Sequence, residues 1–273
     1  MTTTDSTKGT RSTGTSAGAG KLQHHRQREI YVLALRSGSV DVSELARHFD
    51  VTTETIRRDL SDLQEQQLLR RVHGGAVPLE HLHHEPMVDA RDMLNAEQKL
   101  RIAQEAINEV PEHGSVIIDS GSTGQRLAEV FPVDRAVHVV TNSLLTAATL
   151  VRRGVRELTV LGGGVRTNTF AMVDASTAAA VRELRVDVLF ISCDGLSFQR
   201  GLTTPYHDES VLKRAMIDSA RRIVASVDSS KFGNDQMFAY GSLDEIDVLV
   251  TDTGVDDDAL TVLSEHELEV RCA

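Results

Sequence analysis

Apolar residues recur at Ile56, Leu60 and Leu63, positions i, i+4 and i+7, which is one face of a helix. Thr52 stands where an N-cap belongs, and Thr53, Glu54 and Thr55 fill the first turn. Arg57 and Arg58 fall off the apolar stripe and are predicted to face solvent. Upstream, Leu45, Ala46 and Phe49 share one face of a short helix over 43–49, which begins at Ser43 and ends in a turn at Asp50 and Val51. A third helix, over 26–36, turns Ile30, Leu33 and Ala34 inward. Downstream, 68–77 reads as a strand, a glycine turn at Gly74 and a second strand, with Arg70, Arg71 and His73 along it. Three helices and a basic hairpin make a winged helix-turn-helix. A short helix with polar and arginine side chains at its start suits the major groove of DNA. Taken alone, it reads equally well as an ordinary surface helix.

Beyond residue 95 the pattern changes to short apolar runs, predicted as strands at 115–119, 137–140, 158–161, 186–191, 222–226 and 246–250. Helices fill the gaps, so the sheet is expected to be mainly parallel and covered on both faces. Asn95 is placed to cap the first of these helices with Gln98 in the capping-box position, and Leu100, Ala103 and Ile107 mark its buried side. Nearly every strand runs into a polar motif. These are Ser120-Gly121-Ser122-Thr123-Gly124, Thr141-Asn142-Ser143, Gly162-Gly163-Gly164, Ser192-Cys193-Asp194-Gly195 and Asp228-Ser229-Ser230-Lys231. Ligands of such sheets bind beyond the carboxyl ends of the strands, and a strand, glycine loop and helix N-terminus together can hold a phosphate.

Residues 1–20 are Thr, Ser or Gly at 14 positions and read as a disordered tail. The expected organisation is therefore tail 1–20, head 21–77, linker 78–94 and a second domain over 95–273. His81, His83 and His84 lie in the linker without the spacing of a tetrahedral metal site. Nothing in the sequence calls for a metal or another cofactor.

The net charge of −11 is unevenly spread. Residues 1–80 hold 11 Lys and Arg against 10 Asp and Glu, so the acid excess belongs to the remainder. A near-neutral head with local arginine clusters fits a targeted reader of DNA, and an acidic body does not coat nucleic acid. Tryptophan is absent and aromatics are 4%, so the core must be built from Val, Leu, Ile and Ala. Cys193 and Cys272 have neither metal-ligand spacing nor an evident disulfide role, which makes a reducing cytoplasm the default. No run reaches the ~18 apolar residues needed to cross a bilayer, and residues 1–20 lack the apolar segment of a secretory signal.

Val51-Thr52-Thr53-Glu54-Thr55-Ile56-Arg57-Arg58-Asp59-Leu60, followed by Arg71-Val72-His73-Gly74-Gly75-Ala76, resembles the signature of the DeoR/GlpR family of bacterial transcriptional regulators. The resemblance implies an α/β sensor domain of the sugar-phosphate-isomerase type behind the winged head. It assigns Ser120, Gly121, Ser122 and Thr123 to an effector phosphate, with Lys231 as a compact positive charge, and Asn142 and Asp194 to sugar hydroxyls. Thr141, Ser143, Gly163 and Gly195 share that edge. Glu209 and Lys213 match the family's Glu-x-x-x-Lys element; they either line the pocket or form a surface i,i+4 ion pair. Asp174 departs from the family pattern and raises the prospect of an anion repelling the phosphate.

An enzyme is the alternative. Isomerases of this fold carry Asp-Gly-Ala-Asp, whereas this chain has Asp194-Gly195-Leu196-Ser197 and so lacks the second acid. The expected function is a repressor that binds double-stranded operator DNA as a dimer or tetramer and responds to a phosphorylated sugar. One short recognition helix offers too little base contact to act alone.

Overall fold

The computed structural model describes residues 16–66, 68–78 and 88–273, and the chain divides into two units, 1–86 and 87–273. The first contains α1 (Ser16–Ser37), β1 (Val40–Asp41), α2 (Val42–His48), α3 (Thr53–Glu65), β2 (Leu69–Val72) and β3 (Gly75–Pro78). Ile30, Ala34, Leu45, Ile56, Leu60, Leu63 and Leu69 form its core, all but Leu45 without solvent exposure. Leu33 and Phe49 are only half-buried. The strands form an antiparallel sheet in the order β1-β3-β2. Gly75 is required in it, because a Cβ there would lie 1.9 Å from the Val40 carbonyl oxygen. This is the predicted winged helix-turn-helix, with β1 added.

Two boundaries are corrected. Helix α1 begins at Ser16, inside the predicted tail; 16–20 holds no proline to stop it, although its two glycines are poor helix formers. Asp41, not Ser43, opens α2: its carboxylate accepts from Ser43 N at 2.7 Å and Glu44 N at 3.0 Å. Residues 1–15 and His81, His83 and His84 lie outside the described residues.

The second unit opens with α4 (Val88–Met93) and α5 (Ala96–Ala106). There follow β4 (His113–Ile118), α6 (Ser122–Val130), β5 (Ala136–Thr141), α7 (Leu144–Arg153), β6 (Leu158–Val160), a hairpin of β7 (Val165–Arg166) and β8 (Ala171–Met172), α8 (Ala175–Arg182) and β9 (Val186–Ile191). The chain continues through β10 (Gly195–Ser197), β11 (Gly201–Thr204), α9 (His207–Ser219), β12 (Ala220–Ser226), β13 (Phe238–Gly241), β14 (Val248–Thr251), α10 (Asp257–Leu263) and β15 (Glu269–Cys272).

Seven strands pair in the order β15-β14-β12-β9-β4-β5-β6, every pair parallel. Alternate residues split the core between two faces: Val116, Ile118, Val188 and Phe190 pack with α5 and α6, while Ile117, Leu189 and Ile191 pack with Leu212, Ala215 and Met216 of α9. All six predicted strands are present, β9 with the predicted bounds and the other five with shifted ends. The sequence reading missed β15, whose Glu-Val-Arg-Cys has no apolar run, and the antiparallel sheet β10-β11-β13.

Residues 88–93 are not linker but helix α4, and 88–94 belong to the second unit. Asn95 does not cap α5. It has left-handed backbone (φ 54°) and its side chain donates to Asp228 at 2.8 Å. The buried side of α5 is Lys99, Ile102, Ala103 and Ala106, rotated from the predicted stripe because a lysine is one of its members. Among the described residues no helix is long and apolar enough to cross a membrane.

Burial pushes the Cys193 thiol up to about 12, while Cys272 is exposed. Iodoacetamide should therefore label Cys272 alone in the native protein. Modification of Cys193 at a comparable rate, read by peptide mass spectrometry, would contradict this packing.

Candidate nucleic-acid interface and ligand pocket

In the head, Thr52 accepts from Thr55 N at 3.2 Å and so fixes the first turn of α3. Arg57 and Arg58 are exposed, and Arg57 reaches Glu54 only loosely, at 3.4 Å. A concavity of about 640 Å³ gathers Thr52, Thr55, Arg57, Arg58 and Arg71, together with Arg26 of α1. Ser43, Thr53, Glu54, Arg70, His73 and Gly74 are exposed. Gly74 supplies the left-handed backbone (φ 80°) between the paired Val72 and Gly75. Arg70 and Arg71 are successive strand residues and so leave the wing on opposite faces. Arg71 turns toward α3, donating to Ser61 at 3.0 Å.

The sequence reading overlooked how α3 is held. Asp59, 1% exposed, accepts from Arg26 Nε at 2.5 Å and from Gln27 at 3.2 Å; Asp62 accepts from Gln27 at 2.8 Å and Gln23 at 2.9 Å. Buried charge of this kind persists only when paired. The bonds set α3 against α1, and with it the angle at which Arg57 and Arg58 are presented. The signal was available: Asp59 is three residues after Ile56, on the buried stripe.

In the second unit, strand order reverses between β4 and β9. The chain runs outward from β4 through β5 to β6, then returns to β9 and continues through β12 and β14 to β15. The crevice at such a reversal is the ligand position of open α/β sheets. It lies between Asp119-Ser120 and Ser192-Asp194. Lys213 spans it, donating to Asp119 Oδ2 at 2.5 Å and to the Ser192 carbonyl at 2.7 Å, with Glu209 at 3.5 Å. Lys213 and Asp119 are almost wholly buried, which removes the surface-pair reading of Glu209 and Lys213. Burial alone would lower the Lys213 ammonium, but Asp119, Glu209 and Asp194 raise it above its ordinary value. Glu209 also accepts from Arg166 at 3.2 Å, and that guanidinium stacks 4.1 Å from the Tyr206 ring centre.

Asp194 accepts from Arg91 at 2.8 Å and from the Thr204 hydroxyl at 2.8 Å. Burial opposes its charge, yet Arg91, Lys213, that hydroxyl and Lys231 together hold its carboxyl below the usual range. Asp228 accepts from Asn95, and Lys99 donates to the Arg91 carbonyl at 2.5 Å and the Leu94 carbonyl at 2.7 Å. Burial brings the Lys99 ammonium down to about 8. Among the described residues, the Lys231 ammonium makes no hydrogen bond or ion pair, although it acts electrostatically on Asp194, Asp228 and Lys99.

Several expected ligands instead build the frame. Asn142 accepts from Ser120 N at 3.0 Å and donates to the Met172 carbonyl at 3.1 Å and, more weakly, to the Ser120 hydroxyl at 3.4 Å, so its amide shapes the loop. Thr141 accepts from Ser143 N, and Ser143 caps α7. A Cβ on Gly195 would lie 2.2 Å from the Asn234 carbonyl oxygen, which accounts for glycine there. Gly163 packs on Asp174 and Thr177 at the start of α8. Asp174 accepts from Gly164 N at 2.6 Å, Ser176 at 2.7 Å and Thr177 N at 2.9 Å. These bonds hold its carboxyl well below the usual range and make it a helix cap rather than an anion set against a phosphate. Ser120, Ser122 and Thr123 are buried, and a cavity of about 10 Å³ lies against Thr123, Asp119, Ser192 and Ser226. Sequence reasoning missed Asp119, Arg91, Lys99 and Arg166, and gave Asp228 no role beyond membership of the polar edge.

Residues 26–81 match the DeoR-like helix-turn-helix domain and 94–253 the DeoR C terminal sensor domain. The chain is 34% identical over 238 residues to the HTH-type transcriptional regulator GlpR of Haloferax volcanii, covering 87% of this chain and 93% of that protein. It is 31% identical over 248 residues to the glycerol-3-phosphate regulon repressor of Escherichia coli K12, covering 91% and 98%. A ribose 5-phosphate isomerase A of Methanocaldococcus jannaschii overlaps 50% of this chain and 55% of its own at 18% identity and a TM-score of 0.38, too little to speak to activity. The chain belongs to the DeoR family: it is a DNA-binding transcriptional regulator with a winged head and an α/β sensor, and not an enzyme.

Proposed function

We propose that the protein represses an operon for the use of a phosphorylated polyol or sugar and releases its operator when that metabolite binds at the β4/β9 crevice. The observation that carries this reading is the Lys231 ammonium, which among the described residues makes no hydrogen bond or ion pair, while the carboxylates it acts on, Asp194 and Asp228, are engaged by other groups. A phosphate dianion is the ligand such a charge can take. The amides of Gly121, Ser122 and Thr123 and the hydroxyls of Ser120, Ser122 and Thr123 would complete its coordination at the start of α6. The naming of one relative as a glycerol-3-phosphate regulon repressor makes glycerol 3-phosphate the first metabolite to try.

On DNA, Thr53, Glu54, Thr55, Arg57 and Arg58 would read base edges, while Ser43, Thr52, Arg70, Arg71, His73 and Gly74 would meet the backbone. The protein would act in the cytoplasm as a dimer or tetramer, pairing heads over repeated half-sites.

A thermal-shift panel of phosphorylated polyols and sugars tests the ligand class, since a ligand of the native state raises stability by mass action. At least one should raise the unfolding temperature of the wild type. Lys231→Ala should lose that shift and its operator release while binding DNA as before. Unaltered release in Lys231→Ala at the same metabolite concentration would remove this lysine as the anchor.

A further inference from the structure

Helix α4 lies across the mouth of the crevice and is fastened at each side. Its first residue donates from Val88 N to the Asn168 carbonyl in the β7–β8 turn at 2.8 Å. Asp92 pairs with Arg126 of α6, the helix that starts at the Ser122 loop. Arg91 enters the pocket and meets Asp194, the acid of the β9 loop, with only 16% of its side chain exposed. Behind it, the Lys99 ammonium holds the Arg91 and Leu94 carbonyls, the free acceptors of a helix end.

We propose that Arg91 is an effector-phosphate ligand held in reserve: in the absence of effector it is latched to Asp194, and the arriving phosphate takes the guanidinium over. This rests on the crevice being the effector site, as proposed above. A guanidinium fork matches phosphate and carboxylate equally well, so the two compete for one group. Asp194, released from Arg91, regains lone pairs for the hydroxyls of a polyol or sugar. The exchange leaves every charge partnered: phosphate on Arg91 and Lys231, hydroxyls on Asp194, and Lys213 still on Asp119. Because Arg91 belongs to α4, the exchange draws on the element that follows the DNA-binding head in the chain. The effector thereby interacts differently with the latched and unlatched states, which is what a switch requires.

Inorganic phosphate is the probe that isolates the step, because it has no hydroxyl-bearing carbon for Asp194 to recognise. Its affinity for the full-length protein would be measured by titration calorimetry in phosphate-free buffer. Asp194→Asn keeps its side-chain shape but removes the carboxylate that Arg91 is latched to and, with it, a competing anion; it should bind phosphate about tenfold more tightly than the wild type. Arg91→Ala should bind about tenfold more weakly or not measurably. Arg91→Lys, which keeps the charge and loses the fork, should fall between Arg91→Ala and the wild type; it serves alone if the alanine variant does not fold. A purely structural ion pair predicts that both sides of the latch weaken binding together. The proposal is overturned if Asp194→Asn binds phosphate no more tightly than the wild type, including the case in which neither binds, or if Arg91→Ala binds as tightly as the wild type. These outcomes are separate from the Lys231→Ala test, whose failure would reject the crevice reading itself.

Discussion

Replacing Arg57 or Arg58 by alanine should weaken binding to the operator duplex by about 1–3 kcal/mol each. Both side chains stand off a stripe whose apolar members, Ile56, Leu60 and Leu63, are wholly buried. Neither arginine supports the core, so the loss is one of recognition. Arg57 retains only a loose, solvent-exposed pairing with Glu54, the kind that contributes little to folding. Thermal unfolding of the second unit should therefore not move. The duplex can be obtained by selection from random-sequence DNA with the full-length protein, and affinities read by fluorescence anisotropy at fixed salt. Unchanged affinity in both variants would take α3 out of the interface.

Lys213→Met should destabilise the second unit by about 3–5 kcal/mol, the order expected when one member of a buried ion pair is removed. The substitution preserves bulk but leaves Asp119, 2% exposed, without its cation and deprives the Ser192 carbonyl of a donor. Adding Asp119→Asn should recover a substantial part of the loss, because the orphaned charge is then gone. Denaturant unfolding of single and double variants measures both steps. The pH dependence has a definite sign. Folding raises the Lys213 ammonium above its ordinary 10.5, so its contribution is fully present below that value and is lost only as pH rises through the higher folded value. The deficit of Lys213→Met should thus be flat across neutral pH. A deficit under about 1 kcal/mol would mean the pair is not the central tie of the crevice.

The periodicity of hydrophobic residues was a good guide where one face is buried and the other is not. The helices of the head and six parallel strands could be placed from it. It failed where the decisive residue is a charge inside the fold. Lys99 sits on the buried face of α5, so the apolar pattern points one position away from the stripe that is buried. Asp119 looked like the polar end of a strand, and its partner Lys213 lies far away in the chain. Arg91 stood in a proline- and histidine-containing stretch that reads as linker, and only tertiary contact with Asp194 and Arg126 makes it a helix of the second unit. Asn142, Ser143 and Gly195 were visible as a polar edge, but whether such residues bind a ligand or build the frame depends on hydrogen bonds between distant segments. Asp174 is the same lesson reversed: an unexpected anion in the motif is a helix cap.

The most direct test is the affinity of the full-length protein for its selected duplex, with and without each phosphorylated polyol or sugar that raises its unfolding temperature. Release by at least one such metabolite, with affinity falling about tenfold or more in the wild type but not in Lys231→Ala, is the predicted result. Equal DNA affinity with and without every stabilising metabolite would contradict a sensor that governs the head.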